Sequence, residues 1–188
     1  LSRGLGDVYK RQAYNLQSIP MSDIVFIFLE GRLRMKHLFL DFDGVISPYP
    51  PYSKQVVNCQ SVGGFDISYL EQVVAWVNDK VEDPEWKVYW LTTWVKKTHH
   101  LSVIGIHNDI EVIKPVQWTN PKNGLKWKPQ AGIHQYNMIQ QDNPGDIVVW
   151  IDDDSRINTH PHLEYLHTFV PQENTGITQR IMDEIDDL

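Results

Sequence analysis

The chain carries one cysteine, Cys59, in 188 residues, so it holds no internal disulfide and a reducing compartment is the simpler setting for it. Positive charge is also scarce. The 17 Lys and Arg face 24 Asp and Glu, a formal net charge of -7, which argues against nucleic-acid binding by bulk electrostatics but leaves room for a local basic site. Long apolar runs are missing too: IVFIFL at residues 24–29 is far shorter than a membrane span, and the preceding Met21-Ser22-Asp23 lacks the basic residues of a signal peptide. The expectation is a cytoplasmic protein with no membrane partner and no stable protein partner. The chain shows no internal repeat, and its length fits one domain that buries a core without disulfide or metal staples.

The first residues stand apart. SRGLGDVYKRQ, residues 2–12, resembles the translation of a transposon-end adapter used in preparing sequencing libraries. Residues 1–34 are therefore read as a non-native or disordered leader without chemistry, the native start as Met21 or Met35, and residues 35–188 as a single catalytic domain.

From residue 37 onward, strand and helix signals alternate. HLFLDF, residues 37–42, is an apolar run of strand length that ends at Gly44 and a Pro-Tyr cluster, which suits a strand buried on both faces. Residues 47–65 read as a long loop, with Tyr49, Tyr52 and Lys54 available for a small flap. Ser68 and Glu71 have capping-box spacing, and Ile67, Leu70, Val73, Val74 and Val77 recur at helical intervals, predicting a helix over 67–81. KVYWLT (87–92) is a second strand; a short helix at 96–104, a strand near 110–114, and a loop carrying Pro115, Pro121, Asn123 and Gly124 follow. A helix over 129–140, a buried strand in DIVVWID, a strand near 166–170 and a closing helix marked by Ile177, Ile181, Met182 and Ile185 complete the pattern. Such alternation implies a mostly parallel, Rossmann-like sheet in a three-layer α/β/α sandwich, with ligands beyond the carboxyl ends of the strands.

The polar residues fall at those ends. Asp41 and Asp43 lie two apart, so their side chains share a face, and Gly44 lets the backbone turn there. Asp152 and Asp153, from another strand end, add negative charge to the same cavity. Carboxylates so gathered repel unless a cation lies among them or one is protonated, and magnesium fits best because it combines one or two carboxylates with water and a phosphate oxygen. A phosphate monoester also needs a hydroxyl donor and a protein cation, which Thr92 and Lys128 supply. Thr93 competes with Thr92, and strand alternation favours Thr92. Lys126 competes with Lys128, but Pro129 at a helix start places Lys128 at the helix mouth.

Four segments in this order, DFDG (41–44), WLTTW (90–94), WKP (127–129) and WIDDD (150–154), resemble the motifs of the haloacid dehalogenase (HAD) superfamily of phosphoryl-transfer enzymes. Trp-x-Thr-x-Trp, Trp-Lys, Trp-Ile-Asp-Asp and the tail PQENTGIT look closer still to the small HAD domain of multidomain Swiss-army-knife RNA-repair proteins. The resemblance implies a magnesium-dependent phosphatase. In it Asp41 would be the nucleophile that forms an aspartyl-phosphate, and Asp43 would protonate the leaving oxygen and later deprotonate water. Thr92 would hydrogen-bond the phosphoryl group and Lys128 would offset its charge. Asp152 would bind magnesium with Asp41 and the backbone carbonyl of Asp43, and Asp153 would be a further ligand.

The span between Asp43 and Trp90 leaves no room for a full cap domain, so the site is expected to be open and to suit a large phosphorylated substrate such as a nucleic-acid end. The alternative is a non-catalytic HAD-fold binding or regulatory module. A phospho-accepting receiver domain is disfavoured because there the lysine follows the acidic pair. Trp90 and Trp150 read as core residues, and Trp94 and Trp127 as better candidates for stacking on a base. The histidines at 99–100 and 160–162 lack supporting zinc ligands and read as surface residues.

Overall fold

A computed structural model describes residues 34–50, 52, 58–62, 64–115, 127–160 and 162–188. The expected leader before Arg34, with Met21, lies outside the described residues, as do Lys54, Lys126 and the loop beyond Pro115. Five strands, β1 (Lys36–Leu40), β4 (Trp86–Trp90), β5 (Glu111–Val112), β6 (Ile147–Ile151) and β7 (Leu166–Phe169), form one parallel sheet in the order β5-β4-β1-β6-β7. β1 is central and must bury both faces: Leu38 and Leu40 pack on one side, Phe39 on the other.

Helices cover both sides. Val73, Val74 and Val77 of α1 (Glu71–Glu82) and Met182 and Ile185 of α3 (Gln179–Asp186) share one core with Leu38, Leu40, Val88 and Ile151. Ala131, Tyr136 and Ile139 of α2 (Trp127–Asp142) share the other with Phe39, Tyr89 and Trp150. The expected three-layer α/β/α architecture is present. Gly132 explains how closely α2 sits on the sheet, since a Cβ there would lie 2.6 Å from Trp150 Cη2 and 2.9 Å from Leu91 Cδ2. Lys128, one turn earlier on the same helix face, is thereby brought over the strand ends. Trp90 and Trp150 are buried in the core, as their strand positions predict.

One stretch departs from the expectation. The loop expected at 47–65 and the front of the helix expected at 67–81 contain instead an antiparallel hairpin, β2 (Asn58–Val62) with β3 (Phe65–Tyr69). The helix begins only at Glu71, after Leu70, which caps it without a side-chain bond. Ser68 is therefore not a capping residue; its hydroxyl meets Tyr52 Oη and lies 3.8 Å from Cys59 Sγ. The physical reason is that Ile67 faces the core from a strand, whose alternation in FDISY coincides over a few residues with helical spacing. The helix expected at 96–104 is a 3₁₀ segment, Thr98–Ile104. Among the described residues no helix is long and apolar enough to cross a membrane.

At the opposite edge of the sheet from the polar strand ends, His37 is buried between Tyr89 Oη (3.3 Å) and Asp146 Oδ2 (3.2 Å), and Asp146 Oδ1 accepts from Met35 N. Burial lowers the pKa of His37, outweighing the opposing pull of Asp146. The folded state thus binds this proton less readily than the unfolded chain, so the contribution to stability is full above the unfolded value near 6.5 and is lost as pH falls. His37→Gln should remove that slope: the difference in unfolding free energy between wild type and variant shrinks as denaturation is measured from pH 7.5 down to about 5. A constant difference across that range would contradict the assignment.

Candidate active site

The register of the sheet gathers the polar residues. Leu40 is level with Trp90 on one side and Ile151 on the other, and Asp41 N donates to Ile151 O at 3.0 Å while Leu91 N donates to Leu40 O at 2.8 Å. Residues 41, 92 and 152 therefore leave the sheet at one edge.

Asp41 and Asp152 are buried there with Lys128. Asp41 Oδ1 accepts from Phe42 N at 2.7 Å, and Lys128 Nζ donates to Asp41 Oδ2. The same ammonium stands 2.9 Å from Asp152 Oδ2, an ion pair whose geometry falls short of a hydrogen bond, so that this oxygen stays buried without a hydrogen-bond donor among the described residues. Asp152 Oδ1 accepts from Asp154 N at 3.1 Å. Oxygens of Asp41, Asp152 and Asp153 all lie within 4.8 Å of one another. No histidine joins a group of three potential metal ligands among the described residues.

Charge in this cavity is lopsided. Burial opposes the Lys128 ammonium, but Asp41 and Asp152 outweigh it and raise its pKa. Burial, with the charge of Asp41 added, pushes the Asp152 carboxyl up to about 6 against the pull of Lys128. The Asp153 carboxyl is raised by burial and by Asp41. Among the described residues, three carboxylates share one ammonium, and the buried Asp152 Oδ2 is met by that ion pair alone. These hard oxygen donors fit a magnesium-sized divalent cation, which would relieve their repulsion.

The backbone is shaped to permit the cluster. Gly44 has φ +72°, in the left-handed region, and a Cβ there would run into the Asp153 carboxylate, with Asp153 Cγ at 2.7 Å. The turn after β1 closes on itself through Ser47 N to Phe42 O at 2.9 Å, and it is tied to the tail by Ile177 N to Val45 O and Tyr49 N to Glu173 O. Tyr49 comes close enough to feel the acidic cluster. Burial, then Asp43, Asp153 and Asp41, raise its phenol to about 12.

The remaining predicted residues are arranged differently. Thr92 is fully buried at the end of β4, and its Oγ1 accepts from Trp94 N at 3.3 Å, which leaves its own proton to donate; Thr93 is exposed and lines a groove beside the site. The Asp43 carboxylate stands outside the side-chain cluster and accepts from Trp94 Nε1 at 2.8 Å. Burial raises its pKa, and the Trp94 bond works against that rise. Trp94 is also less free for stacking than its position at the site mouth suggests, because Phe42 and Phe65 already pack against it at 5.0 and 5.5 Å between ring centroids. Trp127 packs partly buried against the second core.

Sequence reasoning missed Tyr49 as a neighbour of the acidic cluster and missed the hairpin that brings Phe65 over Trp94. Gly63-Gly64 between two short runs was the available signal for that hairpin.

The family model described as the HAD domain in Swiss Army Knife RNA repair proteins matches residues 37–181, most of the chain and all of the elements just described except Lys36 at the start of β1 and the larger part of α3. No curated protein matches the chain.

Proposed function

We propose, since this chain belongs to the family of HAD domains in Swiss Army Knife RNA repair proteins, that it is a magnesium-dependent phosphatase working through an aspartyl-phosphate on a large phosphorylated substrate such as a nucleic-acid end. The observation that carries the reading is the Asp41, Lys128, Asp152 constellation: a buried carboxylate held by an ammonium at the mouth of a parallel sheet, beside two more carboxylates.

Asp41 is the attacking group. Its Oδ1 is fixed by Phe42 N and its Oδ2 by Lys128, so it meets phosphorus in one orientation. As the phosphorus–oxygen bond to the leaving group breaks, Asp43 gives that oxygen its proton; the resulting Asp43 carboxylate then takes a proton from the water that attacks the aspartyl-phosphate. Lys128 offsets the negative charge of Asp41 and of the phosphoryl oxygens, and the Thr92 hydroxyl donates to one of those oxygens. Asp41, Asp152 and Asp153, with the backbone carbonyl of Asp43, would hold magnesium, which when bound supplies charge to a phosphoryl oxygen.

Among the described residues, only the β2-β3 hairpin and its flanks lie between β1 and α1. That supports an open site without a large cap. The direct test is release of phosphate from an aryl phosphate with magnesium and after chelation. Turnover that requires the cation is the expected result; a folded, magnesium-binding protein inactive on aryl phosphate and on 5′- and 3′-phosphorylated oligonucleotides would favour the binding-module reading.

A further inference from the structure

Trp94 ties two parts of the molecule together. Its indole N–H reaches Asp43 Oδ2 at 2.8 Å across the mouth of the site, and its ring is wedged between Phe42 from the turn after β1 and Phe65 from the hairpin. Lys97 closes the assembly, with its Nζ 3.8 Å from the Phe65 ring centroid and 5.7 Å from that of Trp94. Asp43, Phe65, Trp94 and Lys97 all line a groove of about 1080 Å³ that also includes Tyr49 and Tyr52. No other described residue hydrogen-bonds the Asp43 side chain.

A carboxylic acid that must deliver a proton has two oxygens and several rotamers to choose from. Indole N–H is a donor only, so the oxygen it meets accepts, and because the carbonyl oxygen of an acid is a better acceptor than its hydroxyl, the contact favours the acidic proton on the other oxygen. We propose that Trp94 is a positioning residue for Asp43: its N–H occupies Oδ2, leaves Oδ1 to carry the proton to the leaving oxygen, and is itself held by Phe42 and the hairpin residue Phe65. This rests on the phosphatase reading above, in which Asp43 is the general acid. In the step concerned, Asp41 forms its bond to phosphorus, the electron pair of the breaking bond goes to the leaving oxygen, and the proton passes to that oxygen from Asp43 Oδ1. The flap hairpin thus supports the acid through a ring contact rather than by touching the reacting atoms.

Leaving groups separate this role from a merely structural one. A dinitrophenolate departs without a proton, whereas an alkoxide needs one, and kcat/KM reports the steps through the first irreversible bond cleavage, before Asp43 acts as base. The magnesium-loaded full chain is assayed on 2,4-dinitrophenyl phosphate and on glycerol phosphate as wild type, Asp43→Asn, Trp94→Phe and the double variant. Asp43→Asn is expected to lose about 100-fold or more in kcat/KM on the alkyl ester relative to the aryl ester. Trp94→Phe is expected to show the same bias, about 10-fold, and to add no bias in the Asp43→Asn background. A benzothienylalanine at position 94, which keeps the indole shape but replaces N–H by sulfur, should reproduce the bias even if the phenylalanine variant folds poorly. Equal losses on both esters in the Trp94 variants, or a bias that persists without Asp43, overturn the inference while leaving the phosphatase reading intact. Absence of bias in Asp43→Asn itself overturns the general-acid reading and the inference with it.

Discussion

Asp41→Asn is expected to abolish phosphate release, by about 10⁴-fold or more, while the protein remains folded. An amide cannot supply the anionic oxygen that attacks phosphorus, and Asp41 has both of its oxygens held for that attack, one by Phe42 N and the other by the Lys128 ammonium. The cost to stability is modest for a traceable reason. Both Asp41 oxygens accept, so the amide NH₂ of asparagine must face a donor and one hydrogen bond is lost, about 1–3 kcal/mol. Against this, the mutual repulsion of the three carboxylates is reduced, and Lys128 keeps Asp152 as a partner at 2.9 Å. Phosphate release and thermal denaturation of the same preparation check both halves. Substantial residual turnover would place the nucleophile elsewhere.

Lys128→Met is expected to have the largest effect on the fold as well as a loss of about 10²–10³-fold in activity. Its ammonium is the partner of two buried carboxylates, and methionine fills most of its volume without its charge. Removing one side of a buried ion pair typically costs about 3–5 kcal/mol, because the remaining charge is left without compensation. The pH dependence follows from the raised pKa of Asp152. A carboxyl whose folded pKa exceeds its unfolded value stabilises the fold when protonated and loses that contribution as pH rises through the folded pKa, and removing Lys128 raises that pKa further. The stability gap between wild type and Lys128→Met should therefore widen from about pH 5 to pH 8 in the absence of divalent cations. Magnesium, binding the folded carboxylate cluster, should narrow the gap and raise the melting temperature of the variant more than that of wild type. Denaturation at several pH values with and without magnesium tests this; a gap that is flat with pH and indifferent to magnesium would contradict the electrostatic account of the cluster.

Much of this arrangement was legible because it is local. Each strand end carries its own polar residues, and the central strand reads as an unbroken apolar run because both of its faces are covered. Given parallel strands in register, Asp41 and Asp152 have to emerge at the same edge, and Pro129 in the first turn of α2 marks the mouth at which Lys128 sits. What was not legible depends on contacts distant in sequence. Trp94 and Asp43 are 51 residues apart, and His37 and Asp146 are 109 apart, so no spacing rule within one element could pair them. The hairpin failed for another reason: Ile67 satisfies strand alternation and helical spacing equally well over so short a stretch, and the helical pattern of Leu70, Val73, Val74 and Val77 absorbed it. Trp94 was expected to offer a face for stacking, yet Phe42 and Phe65 occupy its surroundings and its polar edge is turned to Asp43.

The claim on which the rest depends is that Asp41 becomes phosphorylated. Asp43→Asn provides the means to see it: with dinitrophenyl phosphate the first step needs no acid, whereas release from the aspartyl-phosphate has lost its base, so the intermediate accumulates. Acid quenching during turnover, reduction with borohydride and peptide mapping convert an acyl phosphate at that position to homoserine. The account predicts a burst of dinitrophenolate matched by homoserine at position 41. A burst with residue 41 still aspartate, or with the reduced residue elsewhere in the chain, would contradict it.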